Sequence, residues 1–164
     1  FKAYGGEKAG FVLVDPGSAA GLDGTIAKAY ERKEPWLGFY WAPTAILGKY
    51  PMVRLDFAAP EDDAEWARCM TVADCPDPKP GVWPKDRVAT VVSEKFYKSA
   101  DKDVLAYFEK RSWSNETVST LLSHMTDEQA TGEDGAKYFL KNNQDIWEKW
   151  VSPEAAEKIK ASLN

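Results

Sequence analysis

Residues 34–44 read Glu-Pro-Trp-Leu-Gly-Phe-Tyr-Trp-Ala-Pro-Thr, an apolar aromatic run that ends in Trp-x-Pro. Buried strands usually carry Val, Ile and Leu. The Tyr40-Trp41 pair followed by Pro43 instead predicts a large π-face where a strand stops and a cleft can open. Tryptophan is the best side chain for holding a cation without hydrogen-bond donors, such as a methylated ammonium. Because most tryptophans simply pack, a core or lid position for Trp36 and Trp41 is the alternative.

The segments before this run predict a parallel α/β unit. Residues 11–14, Phe-Val-Leu-Val, are typical of a short buried strand, and Asp15 or Ser18 is placed to cap the helix that follows. A connecting helix of about 14 residues then leads to the aromatic strand. Its predicted apolar face consists of Leu22, Ile26, Ala29 and Tyr30. Further strands are predicted at residues 53–57 and 88–92.

From Asp101 onward the chain is predicted to be helical. Ser114 is expected to cap one helix, whose apolar positions have the spacing i, i+3, i+4 and i+7. These positions are Val118, Leu121, Leu122 and Met125. Trp113, Trp147 and Trp150 also fall at helical spacing, which favours positions in a core.

Composition excludes several classes of function. The chain has 164 residues and a net charge of -5, without a basic patch for nucleic acid or an anionic membrane. No apolar run approaches the roughly 18 residues of a membrane span. The only histidine, His124, has no nucleophile motif beside it, and no Gly-rich phosphate loop is present. Residues 1–6 resemble the last turn and Gly cap of a helix, so we expect a fragment.

Cys69 and Cys75 stand six positions apart in a segment rich in Pro and Asp. Two thiols are too few for a Cys-only zinc site, and a disulfide that closes a small loop is the preferred interpretation. Such a bond implies an oxidising compartment, whereas two free cysteines in a cytosolic protein are the alternative. Residues 69–87 are expected to form an ordered excursion or hairpin, after an acidic and solvated stretch at residues 60–65.

The same excursion offers oxygen ligands for a hard cation. Asp74 and Asp77, together with Asp86, have the carboxylates that Ca²⁺ prefers, although their spacing fits no EF-hand. A calcium site at Asp74 and Asp77 is one prediction, and an acidic loop held by the disulfide is the other. No other cofactor is predicted.

The order of these motifs resembles the substrate-binding proteins of glycine betaine/proline-type ABC transporters, the OpuAC/ProX-like family. The family pattern is Gly-Ser-Ala-Ala-x-x-Asp-x-x-Ile, a basic helix end, Glu-Pro, and an aromatic strand ending in Trp-x-Pro. The matching stretches are 17–30, 34–35, 40–43, 50–55, 91–93, 113–116, 139–143 and 147–150. Individually the pieces are weak, but their order is specific, and the similarity covers nearly the whole chain.

The resemblance implies an α/β fold of the periplasmic binding protein type II class, here parts of two lobes with a helical C-terminus. Residues 1–41 then belong to the second ligand-binding lobe, and residues 42–164 return into the first. This second part includes the Cys-containing excursion (69–87) and the C-terminal helices. Aromatic rings from both lobes enclose the ligand in this family, and Trp41 matches a tryptophan of that box. The predicted ligand-binding residues are Trp41, Tyr40, Pro43 and Ser18.

The function that the resemblance implies is binding without chemistry. An extracytoplasmic or periplasmic protein captures a methylated ammonium osmolyte, such as glycine betaine, choline or trimethylamine N-oxide, and delivers it to a membrane permease. Two features depart from the family pattern: the family's Gly-Trp-Gly-like loop is absent, and the Cys excursion is longer. The longer excursion suggests a subgroup that favours trimethylamine N-oxide or a related osmolyte. The alternative class is a small carbohydrate-binding module or enzyme with exposed tryptophans as stacking platforms.

Overall fold

Helices form all of the regular secondary structure in residues 1–163, the residues that the computed structural model describes. None of these helices has the length and apolarity that crossing a membrane requires. Two of them continue into other helical turns: α3 into a π-helical turn at Trp66–Met70, and α8 into a 3-10 turn at Glu148–Trp150. The helices are α1 Ala19–Arg32, α2 Ala45–Lys49, α3 Asp63–Glu65, α4 Glu94–Ser99, α5 Lys102–Lys110, α6 Asn115–Asp127, α7 Gly132–Asn142, α8 Gln144–Trp147 and α9 Pro153–Ser162.

The predicted strands are wrong for the described part of the chain. Residues 11–14, 35–41, 53–57 and 88–92 are irregular in the structure. Their apolar side chains stand in solvent: Val12 is 83% exposed, Val53 85% and Val88 97%. A strand exists only through hydrogen bonds to a neighbouring strand. These segments have strand-like side chains, but a sequence pattern cannot supply the neighbouring strand.

The predicted helices are confirmed, but the predicted apolar face of α1 is buried only in part, since Tyr30 is 45% exposed. Helix α1 has 14 residues, and Ile26 and Ala29 on its predicted apolar face are buried. The Ser114 hydroxyl accepts a hydrogen bond from the Thr117 N–H at 3.0 Å, so Ser114 caps α6. Such elements form correctly because side-chain spacing and a cap hydroxyl act within one or two turns.

The chain divides into two compact units. Unit 1 consists of Phe1–Leu22 and Val53–Ala89, and unit 2 consists of Asp23–Met52 and the chain from Thr90 onward. In unit 2 the C-terminal helices enclose a core of buried Phe139, Trp147, Trp150 and Ala156. The Trp147 Nε1 donates to the Leu140 carbonyl at 2.8 Å, which satisfies the polar atom of a buried ring.

The three C-terminal tryptophans share this core to different degrees. The core positions predicted for Trp147 and Trp150 are confirmed, because both side chains are buried. Trp113 lies at the edge of the same cluster. Its ring centroid is 4.5 Å from that of Phe139 and 5.1 Å from that of Trp150, while part of the ring is exposed.

A buried carboxylate organises unit 1. Glu65 is only 5% exposed, and its two oxygens accept hydrogen bonds from Nε and Nη2 of Arg68, each at 2.8 Å. The Lys79 N–H also donates to Glu65, at 3.1 Å, and Arg68 donates to the Asp77 carbonyl at 2.8 Å. The expectation that residues 60–65 are solvated is therefore wrong at Glu65, because two partners from outside that stretch cover it.

The pKa of Glu65 lies below its ordinary value of 4.5, mainly because Arg68 donates hydrogen bonds to the carboxylate. The hydrogen bond from the Lys79 N–H is the next largest cause. A lowered folded-state pKa means stability that is present above the unfolded value and lost as the pH falls below it. We expect the thermal midpoint of the wild type to fall between about pH 6 and about pH 3, and the midpoint of Glu65→Gln to depend less on pH. Thermal unfolding followed by circular dichroism measures both.

The matched control for this prediction is Glu94→Gln, which breaks the exposed Glu94–Lys98 ion pair in α4. Exposed pairs of this kind contribute little to stability, so this variant should keep the pH dependence of the wild type. Parallel pH profiles of Glu65→Gln and the wild type would contradict the role of Glu65.

Candidate functional site

Two aromatic rings stack at the Trp-x-Pro end of the aromatic run. The ring centroids of Tyr40 and Trp41 are 4.6 Å apart, and their planes differ by 25°. The ring centroid of Phe39 lies 6.4 Å from that of Trp41. Trp41 remains 44% exposed, so a large part of its ring is open to a ligand. Tyr40 stacks on one side of this ring.

The two tryptophans of the run have different surroundings. The Trp36 Nε1 donates to the Thr25 hydroxyl of α1 at 3.0 Å, and the ring is half-buried. Trp36 also packs over Gly38, where an added Cβ would come within 2.7 Å of the indole. These contacts fit the packing role for Trp36, whereas Trp41 is the more exposed ring.

The polar end of Tyr40 is held by helix α1. Its hydroxyl donates to the Asp23 carboxylate at 2.5 Å. The pKa of Tyr40 is raised mainly by burial and secondly by the hydrogen bond to Asp23. The hydroxyl therefore keeps its proton and remains a donor. Sequence reasoning missed Asp23 as a site residue. A signal was present, because Asp23 lies three residues before the buried Ile26 and therefore on nearly the same face of α1.

The segment after Trp41 is fixed against helix α6. Pro43 follows a cis peptide bond from Ala42. The Thr44 N–H donates to the hydroxyl of the buried Ser119 at 3.1 Å. The Thr44 side chain accepts from the Leu47 N–H and caps α2. Pro43 thus sits between the aromatic pair and an anchored helix start.

Ser18 lies in unit 1 and serves as a helix cap. Its hydroxyl accepts from the Gly21 N–H at 3.0 Å, and its carbonyl accepts from the Leu22 N–H at 2.9 Å. Of the two candidate caps, Ser18 therefore bonds α1, whereas Asp15 accepts from the Gly17 N–H. The ligand-binding role of Ser18 stays a prediction.

The Cys69–Cys75 disulfide is confirmed, with its Cα atoms 5.4 Å apart. Asp74 and Asp77 lie in and just beyond the loop that it closes. Within residues 1–163, no three His, Cys, Asp or Glu side chains are grouped so that they could hold a metal ion. The calcium site at Asp74 and Asp77 stays a prediction, while the disulfide and the Glu65 network account for the order of this loop.

Comparison with known proteins points to one family. A family model described as the substrate-binding domain of ABC-type glycine betaine transport systems matches residues 1–142. The match includes helix α1, the aromatic run and α6. No curated protein matches the chain.

Proposed function

The chain belongs to the family of substrate-binding domains of ABC-type glycine betaine transport systems, which is not a family of enzymes, and from this premise we propose its ligand. It captures a methylated ammonium osmolyte, such as glycine betaine, choline or trimethylamine N-oxide, and delivers it to the membrane permease. Family membership also implies a type II binding-protein fold. We place the protein outside the cytoplasm, where the disulfide is stable.

The observation that carries the proposal is the exposed face of Trp41 with Tyr40 stacked on it. A trimethylammonium group has a diffuse charge and no N–H donor, so a carboxylate alone holds it in poor geometry. An aromatic face attracts it by roughly 0.5–2 kcal/mol, and by more when water is excluded. Trp41 and Tyr40 supply such a surface, and we assign Pro43, which follows them in the chain, to the same ligand-binding set. We also propose a ligand-binding role for Ser18, which rests on its place in the family motif alone.

The lobe assignment is part of the proposal. Residues 1–41 belong to the second ligand-binding lobe, and residues 42–164 return into the first. The assignment follows the motif pattern of the family, whose model matches residues 1–142. Capture between two lobes would couple binding to closure, because a ligand stabilises the conformation that it contacts best.

A titration of intrinsic fluorescence in the full-length protein tests the ligand class. We expect glycine betaine, choline or trimethylamine N-oxide to give a saturable change, because the ligand would cover exposed Trp41. The matched control is 3,3-dimethyl-1-butanol, the uncharged carbon analogue of choline, which should bind at least about tenfold more weakly because it lacks the cation–π attraction.

Simple sugars are the second arm of this titration. A saturable response to sugars, with none to the methylated ammonium compounds, would contradict the proposal. That result would favour a carbohydrate-binding module that uses exposed tryptophans as stacking platforms.

A further inference from the structure

The Asp23 carboxylate beside the aromatic pair has no cationic partner in the described part of the chain. Its hydrogen bond is to the Tyr40 hydroxyl. None of the ion pairs formed among residues 1–163 includes Asp23. A carboxylate next to Tyr40 therefore has a hydrogen-bond donor but no ion-pair partner in this part of the chain.

Tyr40 connects this charge to the ligand-facing surface. A phenol that donates to a carboxylate gains electron density in its ring, which strengthens the negative face that attracts cations. The same ring stacks on Trp41 at 4.6 Å. Asp23 can thus act on the aromatic surface in two ways: through its field, and through the orientation that it gives to Tyr40.

We propose that Asp23 is a specificity-determining residue of this site and selects methylated ammonium ligands with a net positive charge. Choline carries one positive charge, whereas glycine betaine also carries a carboxylate that the Asp23 charge repels. The inference rests on the proposed function and deepens it, because it orders the ligands within the class.

Two variants separate the charge from the orientation. Asp23→Asn removes the charge but keeps an oxygen that accepts from the Tyr40 hydroxyl. Tyr40→Phe keeps the charge and the ring but removes the hydrogen bond. A residue that only positions Tyr40 would affect choline and glycine betaine alike, whereas a charge effect changes their ratio and weakens with salt.

The experiment is calorimetric titration of the full-length wild type and both variants with choline and with glycine betaine, at about 20 mM and about 500 mM NaCl. We expect Asp23→Asn to weaken choline binding about fivefold and glycine betaine binding less than about twofold. Tyr40→Phe should keep most of the preference for choline over glycine betaine. High salt should reduce that preference in the wild type.

Several results would overturn the inference. If Asp23→Asn weakens both ligands equally, or changes neither, Asp23 does not select by charge, although the proposed function stands. If Asp23→Asn does not fold, the salt dependence of the wild type tests the inference by itself. A wild-type preference for choline over glycine betaine that is the same at low and high salt would contradict selection by charge. A wild type that binds neither ligand, nor trimethylamine N-oxide, overturns the proposed function and this inference together.

Discussion

Replacing Trp41 with alanine in the full-length protein is expected to weaken binding of the proposed methylated ammonium ligand at least tenfold. Trp41 presents the most exposed face of the stacked pair at the Trp-x-Pro end. A desolvated cation–π contact contributes about 2 kcal/mol or more, and about 1.4 kcal/mol corresponds to a tenfold change in affinity. Loss of the indole would also leave Tyr40 without its stacking partner.

Isothermal calorimetry of the wild type and Trp41→Ala measures this effect. Two controls define its cause. Trp41→Phe keeps an aromatic face and should lose less affinity than Trp41→Ala. Tyr97→Ala removes another exposed ring, 56% exposed in α4 of the same unit, and should leave binding unchanged. Unchanged affinity in Trp41→Ala would remove Trp41 from the site.

Replacing Gly48 with alanine is expected to destabilise unit 2 by about 2–3 kcal/mol. Helix α2 packs closely on α6 at this position. A Cβ added to Gly48 would lie 2.1 Å from the Ser119 carbonyl oxygen and 2.9 Å from the Ser123 Cβ. A backbone oxygen cannot turn away as a flexible side chain can, so the two helices must separate.

Thermal or urea unfolding followed by helical circular dichroism measures the change for Gly48→Ala. The matched control is Gly24→Ala in α1, where an added Cβ meets nothing within 4 Å. That variant should stabilise the protein by roughly 0.5–1 kcal/mol, because alanine has the higher helix propensity. Equal effects of the two substitutions would mean that α2 does not pack tightly on α6.

The Gly48 substitution also bears on the proposed ligand site. The start of α2 is anchored at Thr44, whose N–H donates to Ser119. Separation of α2 from α6 would release this anchor next to Pro43. Close packing at Gly48 therefore contributes to the stability of unit 2 and also helps to hold the aromatic pair in place.

Much of the helical structure could be predicted from the sequence. The apolar face of α1 and the Ser114 cap of α6 follow from residues within a few positions of each other. The order of motifs also indicated the family that the comparison with known proteins shows. The strands could not be predicted in this way, because the segment at residues 53–57 has strand-like side chains but needs a distant partner to become a strand.

The site itself was predictable only in part. The Trp-x-Pro pattern singled out Trp41 and not Trp36, but it could not show that Trp41 keeps an exposed face or that the Trp36 ring bonds Thr25. Asp23 is part of the family motif, but the sequence assigned it no role. Its hydrogen bond to Tyr40 joins residues 17 positions apart, and a local pattern does not show such a contact.

By itself, the sequence determined the length of α1, the Ser114 cap of α6, the family pattern and the short spacing of the two cysteines that bond. Only the tertiary structure decided that Glu65 is buried, that Tyr40 bonds Asp23, and that Trp41 keeps an open face. The physical reason is range. Helix propensity and capping act between neighbours along the chain, whereas the burial of a charge depends on partners such as Lys79, 14 positions away from Glu65.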